Sequence, residues 1–261
     1  LLRSVATALV NRAGALDALN RPLDALEACD EVVRRFGENE NPAVLERVAT
    51  ALANKGYVLG TLSRPVDALD AYDEVVRRFG VSEIAALRMS VSVALLGRAG
   101  IEIMSRRYEK AAETAARVLD GRHRGSEVQR FLGHVIRAKA ILASGGDRSA
   151  CEPDVEAVLA LLPELGPIPR EAVTALLEFS VALGPQRILE LIQASPSPHL
   201  LLPLTTALER ELGLEPRVAR EVDEVAQDVQ RMLAELKASR TGQGPPSAMA
   251  ISTARTRSSR P

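Results

Sequence analysis

Acid–base chemistry needs carboxylates held close together, and the chain offers two such pairs, Asp30-Glu31 and Asp73-Glu74. An arginine follows each acid by four residues: Arg34 and Arg35 after the first pair, Arg77 and Arg78 after the second. Acid before base at that spacing describes the solvated face of a helix, so both pairs are expected in surface salt bridges. The histidines His123, His134 and His199 stand on separate segments, none with a Cys or His at ligand spacing, and no metal site is expected. Asn54-Lys-Gly56 lacks the upstream glycine and following Ser or Thr of a phosphate loop, and Ser144-Gly-Gly-Asp147 follows a helical pattern where a strand is required. No nucleophile, base and acid can be assembled. The sequence therefore points away from an enzyme and names no catalytic residue and no cofactor.

The acidic pairs belong to a larger regularity. Val5-Ala-Thr-Ala-Leu9 returns as Val48-Ala-Thr-Ala-Leu52, Arg21-Pro22 as Arg64-Pro65, and Asp30 to Gly37 as Asp73 to Gly80, always offset by 43 residues. A weaker third copy keeps the phase, with Leu95, Ala111 and Val118 where Leu52, Ala68 and Val75 stood. Within a copy, Leu45, Val48, Leu52, Leu59 and Leu62 line one stripe of a long helix. Pro65 opens a second helix, whose Ala68, Leu69, Tyr72, Val75, Val76 and Phe79 form one apolar face. Gly80 is expected to stop it in a left-handed conformation. Each copy is thus a helical hairpin that cannot bury its own face and must stack on its neighbours. Cys29 occupies the phase of Tyr72 and reads as a packing residue.

These hairpins resemble the tetratricopeptide repeat family, in a long-period, bacterial-type variant. Asn54-Lys55-Gly56 followed by Ala68, Tyr72 and Val75 falls on the family's pattern, as do Asn11, Ala13, Ala25, Cys29 and Val32 in the first copy and Tyr108-Glu-Lys-Ala111 in the third. The likeness covers roughly residues 1 to 120. The family period is about 34 residues; the longer one here implies a lengthened first helix and inter-repeat loop. The resemblance implies an all-α, right-handed superhelix whose first helices line a concave groove for a protein or peptide partner. Carried over, that groove would be lined by Thr7, Asn11, Thr50, Asn54, Tyr57, Thr61 and Arg98. Asn side chains can clamp an extended backbone through both amide functions, or else satisfy neighbouring helix groups within the array; both readings stand. Leu2 aligns with Leu45 inside a first helix, so the first repeat is read as cut short. The alternative function is accordingly the sensor or regulatory arm of a larger signalling NTPase or effector protein.

The organisation expected is repeats over 1–121, degenerate helical hairpins and capping helices over 122–238, and a disordered tail over 239–261. Prolines divide the middle region into short helices near Arg170–Leu183, Gln186–Gln193 and His199–Leu212. The helix over 217–238 carries a heptad-like seam, Val218, Val222, Val225, Val229, Met232 and Leu236, read first as a cap on the solenoid and second as a route to a homo-oligomer. The tail is rich in Gly, Pro, Ser and Thr, with four arginines and no acid.

Composition agrees with this picture. Aromatics are 3% of the chain with no Trp, so small and aliphatic residues must fill the core. With 33 basic against 34 acidic residues, the charge balance supplies no reason to expect nucleic acid, and no apolar run reaches a membrane-spanning length. Two cysteines are too few for a disulfide framework and fit a reducing, cytoplasmic compartment.

Overall fold

The computed structural model describes residues 1–120, 125–213 and 220–240. Among them there is no strand. Six helices make the three repeat hairpins: α1 (Leu2–Ala18), α2 (Pro22–Phe36), α3 (Pro42–Thr61), α4 (Pro65–Phe79), α5 (Ala85–Met104) and α6 (Tyr108–Leu119). Six more follow: α7 (Glu127–Ala143), α8 (Glu152–Leu161), α9 (Arg170–Leu183), α10 (Pro185–Ala194), α11 (Leu202–Glu211) and α12 (Arg220–Arg240). Short 3-10 turns at Arg148–Cys151, Leu162–Leu165 and Pro198–Leu201 join the later helices, and His199 lies in the last of these.

The period of 43 is written into the backbone of all three hairpins. Asn20, Ser63 and Arg106, each 43 residues from the next, adopt left-handed backbone at φ 57°, 57° and 58°. Each ends a first helix in the same pair of reverse hydrogen bonds. The amides of Arg21, Arg64 and Arg107 donate to the carbonyls of Leu16, Leu59 and Glu102 at 2.9, 3.0 and 2.8 Å. The left-handed residues themselves donate to Asp17, Gly60 and Ile103. The third copy has lost most of the shared sequence but none of this turn.

Second helices start where Pro22 and Pro65 need no amide partner. Arg21 and Arg64 close the first turn onto Asp24 and Asp67, each at 2.6 Å. At the far end the expectation for glycine is corrected. Gly37 and Gly80 have ordinary right-handed backbone, φ −58° and −61°. Their reason is close approach: a Cβ on Gly37 would lie 2.5 Å from the Val33 carbonyl oxygen, and one on Gly80 would strike that of Val76. The loop onward is also repeated, with Asn39 and Ser82 each accepting a hydrogen bond from the amide two residues on.

Each helix packs on the next, and the first helices α1, α3 and α5 also pack on one another, whereas α2, α4 and α6 share no comparable contact. One apolar core runs through the hairpins and a second through α7 to α12, with Leu132 of α7 packed against both. A capping box of Ser126 and Gln129 starts α7, and the Gln129 amide group donates to the Met89 carbonyl of α5 at 3.2 Å. In the later helices the bounds read from prolines hold closely, including α9 at Arg170–Leu183.

Helix α12 packs on α9 and α11, with Val229 and Leu233 in the second core, Ala226 buried, Met232 and Leu236 partly covered and Val225 exposed. The buried part of the proposed seam thus faces this chain's own core. Val218 and His123, and the tail from residue 241, lie outside the described residues, as do residues 121–124 at the expected domain boundary. No described helix is long and apolar enough to cross a membrane.

Candidate functional site

Five positions on each first helix share one face at spacings of four, four, three and four residues. On α1 they are Arg3, Thr7, Asn11, Gly14 and Ala18; on α3 they are Glu46, Thr50, Asn54, Tyr57 and Thr61. On α5 the same phase gives Met89, Val93, Gly97, Gly100 and Met104. Because the three helices pack side by side, these rows adjoin. A shallow open depression on α1 is lined by Arg3, Ser4, Thr7, Ala8 and Asn11.

The rows differ in chemistry. Thr50 and Thr61 turn their hydroxyl hydrogens back onto the carbonyls of Glu46 and Val58, both at 2.8 Å, leaving lone pairs outward. Asn11 is exposed and Asn54 half-buried, and neither amide bonds any described residue. The reading in which they satisfy the array internally therefore has no hydrogen bond behind it. Tyr57 is 38% exposed beside them. On α5 the row turns apolar, with Met89, Val93 and Met104 exposed.

Arg98 does not belong to this face. Its phase is that of Lys55 and Arg12, one residue past the asparagines. Its Nη1 lies 2.9 Å from Asp73 and its Nε 3.2 Å from Glu102, so the guanidinium is held inside the array. At the shared phase the third hairpin exposes Met89, Val93 and Met104. The 43-residue offset from Thr50 and Thr61 leads to Val93 and Met104 in the sequence.

Tyr72 accounts for the change from Asn54 to Gly97. Its ring is buried between α3 and α5, where a Cβ on Gly56 would lie 2.7 Å from Cε1 and a Cβ on Gly97 would lie 2.5 Å from the hydroxyl oxygen. In the first hairpin Cys29 stands at that phase and is smaller, so the helix above it carries Asn54. Burial, and then neighbouring Asp30, push the Cys29 thiol up to about 12. It is a packing group without thiolate character.

The acidic pairs are corrected in detail. Glu74 takes both Arg77 and Arg78, and the hydrogen bond from Arg77 is the leading reason its carboxyl is held below the ordinary range. Glu31 likewise takes Arg34 and Arg35. Asp73 and Asp30, expected to pair with Arg77 and Arg34, reach across to the next hairpin instead, to Arg98 and to Lys55 at 2.6 Å.

Away from this face, Asp154 at the start of α8 is fully buried and receives His134 Nδ1 at 2.7 Å and Arg137 Nε at 2.8 Å from α7. Burial first, and then Asp154, push the adjoining Cys151 thiol up to about 11. A neutral, fully buried thiol is poorly suited to attack a substrate. Among the described residues no group of His, Cys, Asp and Glu is arranged to hold a metal ion.

Fold and face together define a class, an all-helical protein whose first half is three stacked hairpins of 43-residue period with a continuous first-helix surface. Comparison of the chain with protein-family models, with curated proteins and with solved structures found no match.

Proposed function

We propose that the chain is a non-enzymatic scaffold whose hairpins wind as a right-handed, tetratricopeptide-like superhelix, with α1, α3 and α5 on the inner side. A protein or peptide segment lies along that side, across Thr7, Asn11, Thr50, Asn54, Tyr57 and Thr61 and on to Met89, Val93 and Met104. Mutual packing of first helices without matching packing of second helices supports the curvature. The carrying observation is that Asn11 and Asn54 recur at one phase on adjacent helices with both amide functions free of described partners. Each can accept from a backbone N–H and donate to a backbone C=O of an extended segment. Tyr57 adds contact area at low entropic cost. A cytoplasmic setting belongs to the same reading, supported by two buried free thiols.

Selection from a random peptide display library against the whole chain tests this. Asn11→Ala with Asn54→Ala should weaken the selected peptides at least ~10-fold, since two hydrogen-bonding amides are lost, with the helical circular dichroism signal retained. Undiminished binding by that variant would move the site off this face.

A further inference from the structure

The hairpins repeat a stacking contact that α1 alone leaves open. In α3 and α5 the face turned to the preceding hairpin is closed: Val48 and Val91 are 0% exposed, and Ala51, Ala94, Val58 and Ile101 are buried. At the same phase on α1, Val5 is 37% exposed, and Ala8 and Ala15 are exposed as well. A cation marks the centre of each closed face. Lys55 receives Asp30 at 2.6 Å and Arg98 receives Asp73 at 2.9 Å, each acid coming from the preceding second helix. Arg12 has the same phase and makes no ion pair with a described residue.

We infer that this face of α1 is a docking surface for a further helical hairpin of the same 43-residue kind, whose second helix presents a carboxylate to Arg12 as Asp30 does to Lys55. Charge complementarity and two worked precedents in the same fold select that occupant. The contact is separate from the inner face. Apolar residues at Val5, Ala8 and Ala15 supply area, and the ion pair sets which helix fits and in what register. A helix with lysine at the acid position is turned away by like charge.

The test extends the full chain with a second copy of residues 1–43 placed before Leu1 and follows amide hydrogen exchange. Exchange at Val5 and Ala8 is expected to slow at least ~10-fold, with melting raised by about 5 °C. Arg12→Glu in the extended chain should give back about threefold of that protection, as an exposed pair would. Arg12→Asp combined with arginine at the added copy's Asp30 position should restore it. In the unextended chain Arg12→Glu should leave exchange in α1 unchanged. Equal exchange in extended and unextended chains overturns the proposal, as does protection indifferent to Arg12. Concentration-dependent protection of Val5 in the unextended chain overturns it too, by showing that a second copy is the occupant.

Discussion

The hydroxyl oxygen of Tyr72 occupies the space a side chain on residue 97 would need, 2.5 Å from the point where a Cβ would begin. One buried side chain on α4 thus decides that α5 carries glycine at the phase where α1 and α3 carry asparagine. Gly97→Ala gains up to about 1 kcal/mol of helix propensity and meets an overpacking cost of about 1–3 kcal/mol. We expect a net loss near 1 kcal/mol by urea unfolding. In a Tyr72→Cys background, which copies Cys29 of the first hairpin, the same change should become neutral or stabilising.

Glu102 is 1% exposed at the phase where the first two hairpins have Leu16 and Leu59, and its Oε2 has no hydrogen-bond partner among the described residues. Arg98 keeps Asp73 when Glu102 is removed. An unsatisfied buried polar atom costs about 1–3 kcal/mol, and apolar replacement of a buried ionic group is often stabilising. Glu102→Leu is therefore expected to raise stability by ~1–2 kcal/mol in urea unfolding, whereas Arg98→Met, which strands Glu102, should lower it by at least as much.

Ser63 turns the chain from α3 to α4 in left-handed backbone, φ 57°, without being glycine. Left-handed backbone costs an L residue about 1–2 kcal/mol, partly offset by the extra freedom glycine brings to the unfolded chain. Ser63→Gly is expected to stabilise by ~0.5 kcal/mol, and Ser63→Val to destabilise by more than that. Thermal melts of the two variants check the opposite signs.

Burial raises the Cys29 thiol from 9.0 to about 12. The folded state keeps this proton above pH 9 where the unfolded chain releases it. The contribution to stability is therefore full below pH 9 and is lost as pH rises through about 12. Between pH 9 and 11 the urea midpoint of the parent chain should fall more steeply than that of Cys29→Ala. At pH 8 iodoacetamide should label Cys29 at least ~100-fold more slowly in the native chain than in urea.

Much of the repeat half is legible in the sequence. The 43-residue offset, the proline starts of α2 and α4, and the apolar faces through Val48, Leu52, Ala68 and Val75 all read directly from spacing, because a helix projects one face every 3.6 residues whatever it later packs against. The pairs of Glu31 with Arg35 and of Glu74 with Arg78 are legible for the same reason, since each lies within one turn, whereas Arg34 and Arg77 are expected on Asp30 and Asp73 and join the glutamates instead. The shared phase of Thr7 and Thr50 and of Asn11 and Asn54 is legible too, whereas Arg98 stands one residue past it and pairs with Asp73.

What spacing within one helix cannot express is the distance between two. Asp30 could pair with Arg34 on its own helix or with Lys55 on the next, and both fit the sequence; only the stacking of α2 on α3 puts Lys55 at 2.6 Å. The lack of a partner for the Asn54 amide among the described residues, the ring of Tyr72 against Gly97 and the burial of Asp154 between α7 and α8 are likewise products of packing. So is the end of α2: a small residue at Gly37 was evident, but its cause is a carbonyl 2.5 Å from where a Cβ would stand, not an unusual φ. Local periodicity determined which faces are apolar and where helices begin, because those depend on backbone geometry alone. Tertiary structure decided which charges meet and which polar groups stay free, because those depend on how closely one hairpin approaches the next.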